Sequence, residues 1–340
     1  ELAGLVDDGV VGVTSNPTIF QKALEGDEYD DQLKQLAIDE EDPYDAFLEI
    51  AREDIRTACD VLAPIHDAPG SNGIRDGWVS LEVDPRLAHN AEATITEARR
   101  LHSMVQRPNL MVKIPGTAEG MRAIEQTIAD GIPVNVTLLF GLKKHLDAAQ
   151  AYVRGLRRLH EAGGDLSKVA SVASFFVSRV DTEADKRLDE IGGHDKLKGK
   201  LAIANAQLAY QTYRAVFSGS DWEELAAAGA SPQRCLWAST STKNPEYRDV
   251  VYVEQLIGPE TVNTMPPETI HAFQDHGRVE RTLDRDPDAA KETLHEFLEA
   301  GVDYEDVVAV LEQEGVEKFT KSFDELIEGV SRKLKGLVAA

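Results

Sequence analysis

Short, continuous apolar runs alternate along this chain with longer stretches in which apolar residues recur at helical spacing. Continuous apolar runs are typical of strands buried on both faces of a sheet, and a spacing of about 3.6 residues is typical of amphipathic helices. Clear helical patterns occupy 91–105, 118–131 and 142–163. The alternation predicts parallel strands joined by right-handed crossovers. The predicted strands are 10–16, 78–84, 109–115, 133–140, 169–177, 235–241 and 261–266.

Two α/β folds fit this alternation, a closed (β/α)8 barrel and an open doubly wound sheet. Open nucleotide-binding sheets carry a Gly-x-Gly-x-x-Gly turn after a strand, and this turn is absent here. We therefore expect a single (β/α)8 TIM barrel domain over 1–340, with a helical insertion at about 27–70 and a helical C-terminal region at about 286–338. A closed barrel needs eight strands, so its first strand is expected upstream of residue 1.

Charge and cysteine content narrow the class of protein. The net charge of −24 argues against nucleic-acid binding, which needs a basic surface. No apolar stretch approaches the length of about 18 residues that spans a membrane. The two cysteines, Cys59 and Cys235, form neither a disulfide framework nor a metal-ligand spacing, which favours a reducing cytoplasm.

One lysine lies inside an apolar run, in NLMVKIPGT at 109–117. Lysine is rarely buried without a partner. The structural interpretation is that Lys113 extends its ammonium to the strand end or forms an ion pair there. The chemical interpretation is a reactive amine, because a desolvated lysine gives up its proton more readily and can then attack a carbonyl.

Polar side chains recur on one parity of the predicted strands, near their carboxyl ends. The other parity has to be apolar to pack against helices, so the polar parity is expected to point inward, where barrel enzymes hold their active sites. One amine and one carboxylate among hydroxyls and amides suit a Schiff-base enzyme, since a carboxylate can move protons directly or through a water. Small polar fillers of barrel layers are the alternative. The inward set is Thr14, Asn16, Glu82, Lys113, Asn135, Thr137, Ser174 and Ser239.

Five strand-end segments resemble those of the transaldolase family, in the same order: GVTSNPTIF, VSLEVDPRLA, NLMVKIPGT, GIPVNVTLLF and VASFFVSRVD. The resemblance covers essentially the whole chain and is closest to the longer bacterial subgroup. It implies a transferase of the pentose phosphate pathway that uses no metal or organic cofactor. Such an enzyme moves a dihydroxyacetone unit from a ketose phosphate, such as fructose 6-phosphate or sedoheptulose 7-phosphate. The acceptor is an aldose phosphate, such as erythrose 4-phosphate or glyceraldehyde 3-phosphate.

The resemblance also implies a role for each site residue. Lys113 would form the Schiff base, and Glu82 and Thr137 would hold the catalytic water. Other residues would contact the sugar or its phosphate. Those expected to bind the sugar are Thr14, Asn16, Asn135 and Ser174, and those expected to bind the phosphate are Arg179 and Ser239; Phe176 is also expected to contact the substrate.

Two positions depart from the family pattern. The acid/base aspartate of the family lies on the first barrel strand, before the segment that matches GVTSNPTIF, and Asp7 and Asp8 are poor replacements. We therefore expect the strand and the aspartate in an upstream part of a longer polypeptide. A second phosphate-binding arginine of the family corresponds to Ser241 here. Lys243, the nearest cation, either takes that role or is a solvated surface lysine.

Three other functions stay open at this point. A fructose-6-phosphate aldolase would release the three-carbon unit, although those relatives are much shorter. A metal-dependent aldolase needs clustered histidines, whereas the nine histidines here are scattered. A non-catalytic sugar-phosphate-binding barrel, or one module of a fused protein, would need no acid/base. For the enzyme we expect sugar-phosphate substrates, no nucleic acid, no membrane, and a cytoplasmic monomer or homodimer.

Overall fold

The computed structural model of this chain describes residues 2–26, 28–38, 42–68, 70 and 74–338. It divides into two compact units. The first unit contains residues 1–114 and 316–340, and the second unit contains residues 115–315. Parts of the predicted helical insertion, residues 27, 39–41 and 69, lie outside the described residues.

Among its described residues, the first unit contains three strands that pair in parallel and follow one another in chain order. Glu82 on the second strand is the register partner of Lys113 on the third. The strands are β1 (Val13–Thr14), β2 (Val79–Glu82) and β3 (Leu110–Pro115, whose last residue belongs to the second unit). The helices are α1 (Leu2–Asp7), α2 (Pro17–Leu24), α3 (Asp30–Ile38), α4 (Pro43–Asp67), α5 (Ala91–Val105) and the later part of the final helix, α14 (Tyr304–Val338).

The second unit contains four strands, again parallel and in chain order. They are β4 (Val134–Leu139), β5 (Ser171–Phe176), β6 (Arg234–Ala238) and β7 (Val262–Asn263). The helices are α6 (Ala118–Ala129), α7 (Leu142–Glu161), α8 (Ser178–Ile191), α9 (Leu201–Val216), α10 (Ser220–Ala227), α11 (Val251–Gln255), α12 (Pro267–His276), α13 (Pro287–Glu299) and the first part of α14. Over the described ranges, no helix has both the length and the apolar content needed to cross a membrane.

The predicted α/β class and the seven predicted strands are confirmed. The strands were recognisable because they are buried on both faces: all six residues of β3, of β4 and of β5 are buried. The helical C-terminal region is present as α13 and α14. An eighth strand upstream of residue 1 and a single domain over 1–340 stay predictions.

Side-chain caps begin several helices close to the strand ends. The Asn90 side chain accepts a hydrogen bond from the Ala93 amide at the start of α5, and the Thr117 hydroxyl accepts one from the Gly120 amide at the start of α6. Such caps satisfy amides that have no partner inside the helix. They fix where α5 and α6 begin.

Within the first unit, the later part of α14 packs against α2 and α4 through aromatic and polar contacts. Phe323 packs edge-on against Tyr44 and Phe47, with ring centroids 5.9 Å apart in both pairs. Thr18 on α2 donates a hydrogen bond to the Ser322 hydroxyl at 3.1 Å. The guanidinium of Arg86, which is also held by Asp84, lies 5.0 Å from the centre of the Phe323 ring. These contacts fix which face of α14 packs against the other helices of the first unit.

A β-bulge interrupts β4 next to a candidate site residue. Val136 pairs with Ala173 and Leu139 pairs with Phe175, so Thr137 and Leu138 together oppose one residue of β5. Leu138 has a φ of 58°, in the left-handed region that non-glycine residues rarely adopt. Bulges commonly occur beside active sites, where they redirect a side chain.

Candidate active site

Lys113 and Glu82 form a buried ion pair at the ends of β3 and β2. Nζ and Oε2 lie 3.0 Å apart, and the two side chains are 6% and 5% exposed. Burial raises the pKa of the Glu82 carboxyl, although the Lys113 ammonium opposes this rise. Oε2 accepts no well-aligned hydrogen bond from the described residues. The pair therefore combines a buried amine with a carboxylate that retains the capacity to accept a proton.

The main chain of Ser15 holds the Lys113 amine from another side. Nζ donates a hydrogen bond to the Ser15 carbonyl at 3.1 Å. The Ser15 amide and hydroxyl both donate to the carbonyl of Ser80 on β2, at 3.2 Å and 2.8 Å. Because Ser15 is tied to β2 in two places, its carbonyl is a fixed acceptor for the amine.

Thr14 and Asn16 flank Ser15. The side-chain oxygen of Asn16, Oδ1, caps α2 by accepting a hydrogen bond from the Ile19 amide at 3.0 Å. The side-chain nitrogen, Nδ2, then has no partner among the described residues, so it is available as a donor to a ligand hydroxyl. The Thr14 hydroxyl makes only a long contact of 3.5 Å to the Ser15 carbonyl. Both residues are partly exposed.

Phe319 on α14 completes the surroundings of the amine. Its ring centre lies 5.7 Å from Lys113 Nζ, and the side chain is 7% exposed. We call Lys113, Glu82, Ser15 and Phe319 the lysine cluster. All four residues belong to the first unit.

In the second unit, the structure brings Asn135 and Ser174 together. The Ser174 hydroxyl donates to the Asn135 carbonyl oxygen at 2.7 Å, and both residues are buried. Thr137 is completely buried, and its hydroxyl has no partner among the described residues. An unpaired buried hydroxyl costs free energy, so this one is well suited to hold a water or a ligand.

Arg179, which was predicted to bind the substrate phosphate, lies in the first turn of α8, shortly after the end of β5. Its guanidinium carbon lies 5.4 Å from the centre of the Phe176 ring, and Nη1 is buried without a hydrogen-bond partner among the described residues. Burial lowers the pKa of the guanidinium, and the charge of Glu314 opposes this effect. The half-buried cation therefore offers unused donors in the fork geometry that phosphate oxygens accept.

Ser239 lies beyond β6, not within the strand as predicted, because β6 ends at Ala238. It has a φ of 57°, and this left-handed conformation turns its carbonyl toward the Ser178 amide, with a hydrogen bond of 3.0 Å. The hydroxyls of Ser178 and Ser239 lie 2.9 Å apart. We call Phe176, Ser178, Arg179 and Ser239 the arginine cluster.

The two acidic residues after Arg179 have other partners. Asp181 accepts hydrogen bonds from the Ala202 amide at 2.7 Å and the Tyr252 hydroxyl at 2.8 Å. Asp185 accepts them from the Gly199 amide and the Tyr247 hydroxyl. An ion pair between Arg179 and one of these carboxylates would be a structural alternative to a phosphate role, and no such pair is present among the described contacts.

Lys243 is exposed, and its Nζ donates to the Ser241 hydroxyl at 2.9 Å. Lys243 thus contacts the position expected to correspond to the second phosphate arginine of the family, and it has no carboxylate partner among the described residues. Ser15, Ser178 and Phe319 were not predicted. Ser15 acts through its main chain, and Phe319 has the same helical spacing as ordinary core residues. Ser178 lay in the segment VASFFVSRVD, but its hydroxyl partner follows another strand.

Comparison with known proteins gives one family and several long matches. The family model described as Transaldolase/Fructose-6-phosphate aldolase matches residues 2–330. The Transaldolase of Acidothermus cellulolyticus is 53% identical over 338 residues, covering 98% of this chain and 90% of that protein. The Transaldolase of Thermobifida fusca is 53% identical over 329 residues, covering 96% and 89%. Transaldolase 2 of Streptomyces avermitilis is 48% identical over 341 residues, covering 99% and 91%.

Proposed function

Because the chain belongs to the Transaldolase/Fructose-6-phosphate aldolase family, we propose that it is a transaldolase acting through a Schiff base on Lys113. Identity of about half over nearly the full length supports the activity. The observation that supports the residue is the Lys113 amine, buried at a strand end beside a carboxylate of raised pKa.

In the proposed reaction, the Lys113 nitrogen attacks the C2 carbonyl of a ketose phosphate, such as fructose 6-phosphate or sedoheptulose 7-phosphate. The carbonyl oxygen takes a proton, and the carbinolamine then loses water to give an iminium ion. Glu82 receives the proton that the ammonium must lose, and it returns a proton to the departing hydroxyl. We assign the Thr137 hydroxyl to the water that takes part in these transfers.

Cleavage of the C3–C4 bond follows from the iminium ion. The C4 hydroxyl loses its proton, an aldose phosphate leaves, and the bonding electrons move to the lysine-bound three-carbon unit as an enamine. The enamine then attacks the carbonyl of the acceptor, such as erythrose 4-phosphate or glyceraldehyde 3-phosphate, and water releases the product. We assign the hydroxyls of the sugar unit to the polar side chains of Thr14, Asn16, Asn135 and Ser174, and a packing contact with the substrate to the Phe176 ring. The family aspartate that would take the C4 proton stays a prediction.

The arginine cluster is proposed to bind the substrate phosphate. Arg179 supplies charge and unused donors, and Ser239 supplies a hydroxyl. A protein with a net charge of −24 repels anions at long range, so a local cation is needed for this task. Lys243 is proposed as a weaker, exposed contributor. We also infer a cytoplasmic setting, which the two buried cysteines, Cys59 and Cys235, support because neither forms a disulfide.

Reductive trapping tests the proposal. The protein is incubated with fructose 6-phosphate and borohydride, and the adduct is located by intact mass and peptide mapping. Lys113 is expected to carry the reduced three-carbon unit, and Lys113→Ala is expected to lose both trapping and turnover. Lys144→Ala is the matched control, because Lys144 also pairs with a carboxylate, Glu312, at 3.1 Å. An adduct that still forms on the Lys113→Ala variant contradicts the assignment.

The products separate a transaldolase from the aldolase of the same family. With erythrose 4-phosphate present, we expect sedoheptulose 7-phosphate to accumulate and almost no free dihydroxyacetone. Free dihydroxyacetone as the main product would instead show a fructose-6-phosphate aldolase.

A further inference from the structure

We propose that Phe319 on α14 stabilises the cationic iminium ion on Lys113 through the face of its ring. The proposal rests on the proposed Schiff-base function of Lys113. The ring centre lies 5.7 Å from Nζ, inside the distance of about 6 Å over which cations are attracted to aromatic faces. The ring is 7% exposed and Lys113 is 5% exposed, so water screens the attraction weakly.

The three groups around Nζ serve different stages of the reaction. Glu82 and the Ser15 carbonyl both act on the N–H groups of the ammonium, at 3.0 Å and 3.1 Å. An iminium nitrogen keeps a single N–H, so it cannot bind both acceptors at once. An aromatic face needs no N–H, and it attracts a delocalised cation of low hydration. The share of Phe319 in stabilising the cation therefore increases when the ammonium becomes an iminium ion.

The position of the ring is fixed by contacts outside the lysine cluster. Ser322, three residues later on α14, accepts a hydrogen bond from Thr18, and Phe323 packs on Tyr44 and Phe47. Among the described residues that contact Nζ, only Glu82 is charged. The ring is thus a preorganised neutral group beside the reacting nitrogen, and a helix far along the sequence supplies it.

The test measures the steady-state population of the iminium ion. Wild-type protein is saturated with fructose 6-phosphate, and the initial rate of inactivation by limiting cyanoborohydride is recorded. In Phe319→Leu, which keeps an apolar side chain but removes the ring, we expect this rate to fall by roughly 3- to 10-fold. Phe319→Tyr keeps the ring and is expected to retain most of the rate.

Two controls separate the ring's charge distribution from packing. Phe297→Leu is the matched variant, since it removes a buried ring from another helix, α13, and it should leave the trapping rate within about twofold of wild type. Fluorinated phenylalanines incorporated at position 319 weaken the negative face of the ring with little change of shape. Trapping rates are expected to decline stepwise with each added fluorine.

The outcomes are distinguishable. A rate that is unchanged across the fluorinated series in folded protein overturns the role of Phe319, as does an equal loss in Phe297→Leu. Absence of any trapping in the wild-type protein instead overturns the proposed Schiff-base function.

Discussion

The Lys113 amine donates to the main-chain carbonyl of Ser15 at 3.1 Å, across 98 residues of sequence. The position of the amine is therefore fixed partly by a main-chain carbonyl, and this carbonyl remains when the Ser15 side chain is substituted. Ser15 itself is held by the Ser80 carbonyl, through both its amide and its hydroxyl.

Substitution of Ser15 by Ala should affect stability more than catalysis. The variant loses the buried hydrogen bond from the Ser15 hydroxyl, which costs about 1 kcal/mol, but it keeps the amide bond and the carbonyl. We expect kcat within about threefold of wild type, together with a lower free energy of unfolding in urea. A loss of kcat by two orders of magnitude would show that the hydroxyl itself takes part in catalysis.

Glu82→Gln should reduce turnover while the protein remains folded. Glutamine keeps the shape of the side chain but cannot accept the proton that the Lys113 ammonium has to lose. We expect kcat to fall by roughly 10²–10⁴, the range typical of general acid/base catalysis. Circular dichroism checks the fold, and Glu312→Gln, which removes the carboxylate paired with Lys144, serves as the control. Retained kcat in Glu82→Gln would assign the proton transfer to another group.

Arg179→Ala should weaken binding of phosphorylated sugars selectively. Loss of a charge-assisted contact of about 1.5–3 kcal/mol corresponds to an increase in KM of about tenfold or more. Donors without phosphate, such as dihydroxyacetone, should be affected much less. Arg187→Ala is the control, because Arg187 lies on the same helix and pairs with Glu183 and Asp306. Equal losses with both kinds of donor would indicate a structural role for Arg179.

Lys243→Ala should have a smaller effect that depends on salt. An exposed cation contributes about 0.2–1 kcal/mol to an ionic contact, so KM for phosphorylated sugars should rise by about 1.4- to 5-fold. The difference from wild type should shrink as ionic strength is raised, because the charge is screened. A salt-independent increase of tenfold or more would place Lys243 among the main phosphate ligands.

Asp181 should make the stability of the protein depend on pH. Burial raises the pKa of this carboxyl to about 7, although hydrogen bonds from Ala202 and Tyr252 oppose the rise. The folded state holds the proton more tightly than the unfolded state, whose ordinary pKa is 3.8. The stabilisation is therefore complete below about pH 4 and is lost as the pH rises toward 7.

Urea unfolding of wild type and Asp181→Asn between pH 4.5 and 7.5 tests this dependence. The free energy of unfolding of wild type, taken relative to the variant, should fall as the pH rises through this range. Parallel curves would show that Asp181 ionises with its ordinary pKa in the folded protein.

Much of the fold follows from local pattern, and the exceptions have physical causes. The helix predicted at 91–105 coincides with α5, because Asn90 caps its start and Gln106 ends it in a left-handed conformation. The strand predicted at 235–241 ends earlier, at Ala238, because Ser239 adopts a positive φ. A serine gives no indication in the sequence that its φ is positive. Lys113 and Glu82 were both predicted to point inward because both interrupt apolar runs, and the structure brings them to 3.0 Å from each other. Phe319 was not predicted, since an apolar residue at helical spacing gives no sign of which neighbour it faces.

Position 138 meets two demands that few residue types satisfy together. Its left-handed backbone excludes side chains branched at Cβ, and its burial, at 3% exposed, excludes the polar residues that tolerate this conformation best. A Cβ on Gly315 would lie 3.1 Å from Leu138 Cδ2, so the surroundings also limit side-chain size. Mutational tolerance at this site is therefore narrow and does not follow hydrophobicity: a saturation library should retain leucine and methionine but reject isoleucine and valine.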